Sequence, residues 1–278
     1  MRGGTSTWEP VGRTVVGGVP LGAYAPAGPS GRRPAMAMLH GLEDGWQSWQ
    51  PLAERFGDRF RTYAIDLPWH AGGSYAWRAR ATAAQWVDHA LALVPDEVSV
   101  LVAHSMSANS ILHWLVSDTA RQVDAIVLLS PFYHVRSAPV DWAMFDQSLD
   151  QFRTVMKDGL RLRLGDRADR LGPDLVGLMD QKMLERVGPR GFLALFDTFI
   201  SSSGMDLSAN NVPTLVVGGS GDAGINGPRA EELARDLGAA DVRIEDGLTH
   251  FCHAEQPDRV AELISAHLRR VPALSPAA

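Results

Sequence analysis

The chain has 278 residues, of which 45% are hydrophobic and 21% charged, and its formal net charge is −6. This composition is ordinary for a soluble globular protein, and the length suits one large domain or two small ones. The net charge is negative and the sequence contains no block of basic residues, which argues against nucleic acid as a partner. All apolar runs are too short for a transmembrane helix, so no membrane partner is expected.

The start of the chain and its thiol content add a prediction about location. The first residues contain no apolar stretch of the kind that forms a signal peptide. Cys252 is the single cysteine, so an internal disulfide is impossible, and we expect it to be a small buried apolar side chain. A chain without disulfides suits a reducing compartment. We therefore predict a cytoplasmic protein.

Short apolar runs alternate with longer segments of helical periodicity. In chain order, the sequence predicts antiparallel edge strands within 14–26, strands at 35–39, 62–65, 98–103, 125–129, 214–217 and 242–244, and helices at 45–55, 82–93, 106–116 and 256–269. The strands are apolar on both faces, which is typical of a parallel sheet covered by helices on both sides. Residues 272–278 are expected to be unstructured.

The interval 135–210 breaks this alternation, because it shows helical patterns and no strand signal. It contains five of the nine methionines and five of the nine phenylalanines. Flexible Met and rigid Phe suit an apolar guest of irregular shape. We predict that 135–210 is a helical lid, or cap, inserted into a core domain formed by 1–134 and 211–278. The candidate hinges of this lid are Gly159, Gly172 and Gly188.

Residues 102–110 hold three serines between a predicted strand and a predicted helix. Ser105 falls on the connecting turn, where a strained backbone can lift one hydroxyl above the sheet. Such a turn needs small residues two positions before and after the nucleophile, and Ala103 and Ser107 qualify. Ser107 itself does not qualify, because Asn109 would be too large. A serine at this point could equally cap the helix, so the turn alone leaves both interpretations open.

Four further motifs accompany the turn. They are Leu-His-Gly-Leu at 39–42, Asp-Leu-Pro-Trp-His-Ala-Gly-Gly-Ser at 66–74, the strand and loop at 212–222 that end in Gly-Ser-Gly-Asp, and Gly-Leu-Thr-His-Phe at 247–251. With these motifs the chain resembles the α/β-hydrolase family over residues 15–270, although Trp69 replaces a glycine of the family pattern. The resemblance implies the α/β-hydrolase fold, a mostly parallel sheet flanked by helices with an inserted helical lid.

The resemblance also implies a role for each residue of a catalytic triad. Ser105 would be the nucleophile, Asp222 the orienting acid and His250 the general base, in the family's chain order. The serine hydroxyl needs such a base, because it is a poor nucleophile until its proton is removed. The backbone N–H groups of Leu42 and Met106 would form the oxyanion hole.

Several other residues are candidates for contact with the substrate. They are Gly41, Glu43, Phe132, His134, Trp142 and Phe145. Glu43 could instead be a solvated side chain. No cofactor is expected. The closely spaced His250 and His253 are not expected to bind a metal, because ligands so near in sequence rarely converge on one ion.

The predicted function is hydrolysis of an ester, thioester or lactone of an apolar or mixed small molecule through an acyl-enzyme. Two alternatives stay open. The first is a lyase or cyclase of a natural-product pathway, in which His250 acts as the base and an acyl group is eliminated. The second is a ligand receptor on a hydrolase fold, which an intact triad disfavours. A monomer or a homodimer is expected.

Overall fold

The computed structural model describes residues 7–28, 31–238 and 240–274. Eight strands form one sheet. They are β1 (Trp8–Val16), β2 (Val19–Pro26), β3 (Ala35–Leu39), β4 (Arg61–Asp66), β5 (Val98–His104), β6 (Ala125–Leu129), β7 (Thr214–Gly219) and β8 (Ala240–Glu245). Their order across the sheet is β1-β2-β4-β3-β5-β6-β7-β8.

The edge strands and the central strands pair differently. β1 pairs with β2, and β2 with β4, in antiparallel fashion, whereas the pairs from β4 through β3 to β8 are parallel. β3 and β6 are buried at every position, since helices cover both faces of the sheet. This is the mostly parallel α/β sheet predicted from the sequence, and the antiparallel edge from the opening segment is also confirmed.

Nine α-helices connect the strands in the described part of the chain. They are α1 (Gln50–Glu54), α2 (Ala83–Leu91), α3 (Met106–Leu115), α4 (Trp142–Leu164), α5 (Arg167–Leu171), α6 (Pro173–Ile200), α7 (Pro228–Leu237), α8 (Cys252–Glu255) and α9 (Pro257–Leu268). The start of α2 follows from a capping box, in which Thr82 and Gln85 each bond the other's backbone N–H. Within the described residues, no helix has both the length and the apolar character needed to span a membrane.

The helical insertion lies where the sequence predicts it, between β6 and β7. It consists of α4, α5 and α6, followed by a short 3-10 helix at Ser202–Gly204. α6 is kinked at Gly188, which has φ 54° and ψ −164° and is followed by Pro189. The kink has an identifiable cause, because a proline inside a helix removes a hydrogen bond and clashes with the preceding turn. The exact division between core and lid stays a prediction.

Two predicted segments differ from the structure. The helix expected at 45–55 is divided into a 3-10 helix at Trp46–Trp49 and the short α1, whose first turn contains Pro51. The end of the chain, expected to be unstructured, forms a 3-10 turn at Pro272–Leu274. Leu274 packs into the core, so its apolar surface stabilises the turn. The rest of that tail, 275–278, and the predicted lack of a signal peptide at 1–6 concern residues outside the described chain.

Two hydrophobic cores lie on the two faces of the sheet. One contains side chains of α1 and α9 against the central strands. The other contains side chains of α2 and α3 together with α4 and α6 of the insertion. The insertion therefore shares a core with one face of the sheet, and this holds it over the carboxyl ends of the strands.

Candidate active site

Ser105 lies on the turn between β5 and α3, with φ 52° and ψ −116°. A positive φ is strained for any residue except glycine, and strained turns of this kind present the nucleophile in hydrolases. The small residue two positions later, Ser107, donates a hydrogen bond from its Oγ to the carbonyl of His40. Ser105 is almost fully buried, at 5% exposure, so its hydroxyl is reached only through the cavity described below.

His250 and Asp222 form a hydrogen-bonded series with Ser105. His250 Nδ1 donates to Asp222 Oδ2 at 2.9 Å, and Ser105 Oγ lies 3.1 Å from His250 Nε2. Because the carboxylate holds the proton on Nδ1, Nε2 is free to accept one from the serine. Asp222 comes from the loop after β7, and its Oδ1 also accepts the N–H of Gly224 at 2.9 Å.

The Asp222 carboxylate is ionised in this environment. Burial by itself raises its pKa, but the attraction of His250 and the hydrogen bonds from His250 and from the N–H of Gly224 outweigh it. The net effect is a pKa below the usual value of an aspartate. A charged Asp222 stabilises the imidazolium that would form when His250 takes a proton.

The loop after β3 lies against the serine. A side chain on Gly41 would place its first carbon 3.2 Å from Ser105 Cβ and 2.9 Å from Nδ1 of His104, so only glycine allows this approach. The loop is held by His40, whose Nε2 accepts the N–H of Leu67 at 2.9 Å and whose Nδ1 donates to the Gly41 carbonyl at 2.7 Å. His40 and Gly41 therefore shape the loop that carries Leu42, His40 through its two hydrogen bonds and Gly41 through its lack of a side chain.

A buried polar cluster lies behind His250. His104 Nε2 donates to the backbone carbonyl of His250 at 2.8 Å. Burial, followed by repulsion from His253 and His250, holds the pKa of His104 well below its ordinary value, so its ring is neutral. Asp44, His104 and His253 offer ligand atoms within 4.8 Å of one another, an arrangement that could hold a metal ion. The expectation of no metal therefore stays a prediction.

A cavity of about 820 Å³ opens above Ser105 between the sheet and the insertion. Its lining is mainly apolar and includes Leu42, Phe132, Phe152, Met156, Leu195 and Phe199 beside Ser105, Asp222 and His250. A cavity of this size and character fits a small organic molecule of several carbon atoms.

The predicted substrate contacts divide into two groups. Gly41 and Phe132 line the cavity, as does Leu42 of the proposed oxyanion hole. Met106 is buried at the first position of α3, where its N–H has no partner within the helix. Glu43, His134, Trp142 and Phe145 do not line this cavity.

Three of those side chains are occupied elsewhere or point to solvent. Trp142 is 80% exposed at the first turn of α4. Phe145 packs edge-on against Phe192 and Phe196 of α6, so it joins the two helices of the insertion. His134 is buried, with Nδ1 3.0 Å from the hydroxyl of Ser203. The rotation of α4 about its axis turns Trp142 and Phe145 away from the cavity, and His134, which lies in the loop between β6 and α4, is directed toward Ser203. In this structure the three side chains are therefore not placed for the substrate contacts predicted for them.

Glu43 differs from both of its predicted roles, since it is neither solvated nor in the cavity. Its side chain is 3% exposed and forms a bidentate ion pair with Arg186 of α6. Tyr75 donates to its Oε1 at 2.9 Å, and Arg163 of α4 donates to its backbone carbonyl. Glu43 follows Leu42, so this cluster joins the insertion directly to the proposed oxyanion loop. We call Glu43, Tyr75, Arg163 and Arg186 the clamp.

Sequence reasoning missed His104, the clamp arginines and Arg229, a cation that lines the cavity. Arginines are numerous in this chain, and no local pattern distinguishes these three from the solvated ones. His104 stands beside the nucleophile in sequence, but only the folded loops show that it holds the backbone of His250.

The fold and this arrangement of side chains define the class of α/β-hydrolase-fold enzymes. Residues 36–263 match the alpha/beta hydrolase family. The chain therefore belongs to that family. No curated protein matches it in sequence.

Several solved structures share the fold. A membrane phospholipase A described as a bacterial virulence factor aligns with a TM-score of 0.70 and 17% identity, over 98% of this chain and 88% of that one. The esterase RhEst1 from Rhodococcus sp. ECU1013 aligns with a TM-score of 0.67 and 19% identity, over 94% of this chain and 99% of that one. The thioesterase domain from the curacin biosynthetic pathway aligns with a TM-score of 0.62 and 17% identity, over 94% of this chain and 99% of that one. At such low identity the likeness concerns the fold alone.

Proposed function

We propose that this protein is a serine hydrolase that cleaves a carboxylic ester, thioester or lactone of a small molecule through an acyl-enzyme. The observation that carries the proposal is the hydrogen-bonded series from Ser105 through His250 to Asp222, with distances of 3.1 and 2.9 Å, at the base of a largely apolar cavity. This is the order of groups that activates a serine for attack on a carbonyl.

In the first step, Ser105 Oγ bonds to the carbonyl carbon while its proton passes to His250 Nε2. The carbonyl oxygen becomes an oxyanion, which the N–H groups of Leu42 and Met106 would stabilise. Collapse of this intermediate breaks the bond to the leaving oxygen or sulfur, and that atom takes the proton from His250. Asp222 stays ionised and stabilises the imidazolium between the two transfers.

In the second step, a water molecule attacks the acyl-enzyme ester as His250 accepts one of its protons. The second tetrahedral intermediate releases the acid and returns the proton to Ser105 Oγ. His250 thus acts once as base and once as acid in each half of the reaction. The insertion would act as a lid that excludes bulk water and contributes apolar contacts to the acyl or alcohol part of the substrate.

The proposal is tested by substitution of the triad. Ser105→Ala and His250→Ala should each lower kcat for a 4-nitrophenyl ester by about four powers of ten or more, because the residues act as a unit. Ser105→Ala should also stop labelling by a fluorophosphonate probe. Ser110→Ala is the matched control, since its hydroxyl only bonds the Met106 carbonyl within α3 at 2.9 Å. A Ser105→Ala protein that keeps a tenth of the activity would contradict the acyl-enzyme.

The same assay separates hydrolysis from elimination. Hydrolysis in water labelled with heavy oxygen places one solvent oxygen in the released acid, whereas elimination by His250 expels the acid with both of its original oxygens, so that neither product contains the label. A cytoplasmic location and a monomeric or homodimeric state remain proposals from the sequence. Cys252 is buried, and burial raises the pKa of its thiol to about 12, so the thiol is unreactive.

A further inference from the structure

Arg229 is a charged side chain on the wall of the largely apolar cavity. It lies in the first turn of α7 and is partly buried. Its Nη1 donates to the carbonyl of Ala223, and its guanidinium carbon lies 5.0 Å from the ring centroid of Phe199. These contacts fix the plane of the guanidinium, and no described hydrogen bond uses its Nε or Nη2.

No carboxylate of the described residues forms an ion pair with Arg229. The nearest candidate, Asp222, is already bonded to His250 and to the N–H of Gly224. Burial lowers the pKa of Arg229, and the attraction of Asp222 offsets this only in part. A cation removed from water without a partner costs free energy, and an anion that enters the cavity would recover it.

The other charges around the cavity are compensated. Asp150 and Asp158 of α4 lie at its rim, 78% and 54% exposed, and each has an arginine of the same helix nearby. The distances are 3.1 Å from Asp150 to Arg153 and 3.7 Å from Asp158 to Arg161. Among the described charged residues that line the cavity, Arg229 is therefore the one that forms no ion pair, since Asp222 is paired with His250.

We propose that Arg229 binds a carboxylate carried by the substrate at a distance from the scissile bond. The inference rests on the proposed ester hydrolysis and narrows its substrate class to esters, thioesters or lactones with a free acid group. The planar guanidinium fork suits a carboxylate, and the apolar side chains of Phe132, Leu195 and Phe199 would cover the carbon chain between the two groups.

The experiment compares substrates that differ in one charge. For the acyl side, mono-4-nitrophenyl adipate is compared with 4-nitrophenyl hexanoate, which has the same chain length. For the alcohol side, 4-carboxyphenyl butyrate is compared with 4-carbamoylphenyl butyrate. We expect the wild-type protein to prefer the charged member of one pair in kcat/KM by about tenfold or more, since hydrogen bonds to charged groups are strong.

The variant Arg229→Met should abolish that preference, so that the ratio of kcat/KM for the charged ester to kcat/KM for the neutral ester of the same pair falls to about one. Arg229→Lys should keep part of the preference, because it keeps the charge and loses the fork. Arg235→Met, on the exposed side of the same helix, is the matched control and should behave as wild type.

Two results would overturn the inference. One is equal use of charged and neutral esters by the wild-type protein. The other is an equal loss on both members of each pair in Arg229→Met, which would mean that Arg229 only holds the Asp222 loop through Ala223. Neither result affects the proposed hydrolysis, which would instead fail if the wild-type protein cleaved none of the four esters and did not react with a fluorophosphonate.

Discussion

Among the residues that the structure describes, three other than glycine have a positive φ, and all follow strands at the carboxyl edge of the sheet. They are Glu43, Ser105 and Ser130, with φ of 57°, 52° and 47°. Each such conformation costs about 1–3 kcal/mol. The backbone N–H of Glu43 bonds the Trp69 carbonyl and that of Ser105 bonds the Leu129 carbonyl, both at 2.9 Å. These hydrogen bonds to a neighbouring loop and strand stabilise the strained backbone conformations of Glu43 and Ser105 beside the candidate active site.

Asp44 gives a prediction about stability and pH. It is buried, its Oδ2 accepts the Ser48 hydroxyl at 2.8 Å, and it lies 3.7 Å from Nε2 of His253. Burial raises its pKa, but the neighbouring His253 and His40 and the Ser48 hydroxyl outweigh this, so the folded state has a lowered pKa. The ionised carboxylate therefore stabilises the fold above the unfolded pKa of about 4, and this contribution is lost as pH falls through the lower folded value.

The measurement is urea unfolding of the wild type and Asp44→Asn at several pH values from 6 down to 3. The wild type should have the larger free energy of unfolding at pH 6, and the difference should shrink as the solution becomes more acidic. Asp58→Asn is the control, since Asp58 is an exposed carboxylate outside the described ion pairs. A difference for Asp44→Asn that is constant down to pH 3 would show that its charge does not stabilise the fold.

At the scale of elements, the clamp connects α6 to the loop that carries Leu42. Arg186→Met would leave the buried Glu43 carboxylate with Tyr75 as its main side-chain partner. Arg186 is 38% exposed, so solvent screens part of the interaction. We expect a loss of about 1–3 kcal/mol in the free energy of unfolding, measured in urea, together with a lower kcat.

The matched control for the clamp is Arg190→Met, an exposed arginine four residues later on the same helix, which should have little effect. A double variant of Glu43→Gln with Arg186→Met should cost less than the sum of the two single changes, because the pair interacts directly. Strict additivity of the two single changes would contradict a coupled pair.

Gly159, a predicted hinge of the lid, lies inside α4 and not between two helices. A side chain there would place its first carbon 2.9 Å from the ring of Phe251, which follows His250. Alanine in a helix normally stabilises by about 0.5–1 kcal/mol relative to glycine. Gly159→Ala should give no such gain and should lower kcat/KM, because Phe251 has to move.

Gly177→Ala provides the comparison for Gly159. It lies on the exposed face of α6 with no atom within 4 Å of the added carbon, so the usual gain in the free energy of unfolding should appear. The prediction for Gly159 is wrong if both variants gain stability equally and both keep full activity.

At the scale of the whole molecule, the insertion and the core share one hydrophobic cluster. Phe152 and Met156 of α4 and Phe192 of α6 belong to the same cluster as side chains of α2 and α3. The structure thus predicts a single cooperative unfolding transition. Far-UV circular dichroism reports strongly on α4 and α6. Tryptophan fluorescence reports mainly on the rest of the protein, because seven of the eight tryptophans lie outside the insertion. The two signals should give coincident urea curves, and an earlier loss of helical signal would show that the insertion unfolds separately.

Much of the fold could be predicted from the sequence, because the signals are local. The apolar runs at β3, β5 and β6 give buried strands, and small residues on either side of Ser105 allow the tight turn into α3. The order of Ser105, Asp222 and His250 along the chain was also predicted, from the resemblance of four motifs to the α/β-hydrolase family. The structure then places these three within hydrogen-bonding distance of one another.

The remaining features depend on partners far apart in the chain. Glu43 was predicted to be solvated or in contact with substrate, yet it pairs with Arg186, 143 residues later, and no local pattern identifies that partner. Trp142 and Phe145 were predicted to contact substrate, but the rotation of α4 directs one to solvent and the other to α6. The tertiary structure alone decided these positions, because burial and charge pairing depend on how helices pack, whereas a sequence shows only which residues could take part.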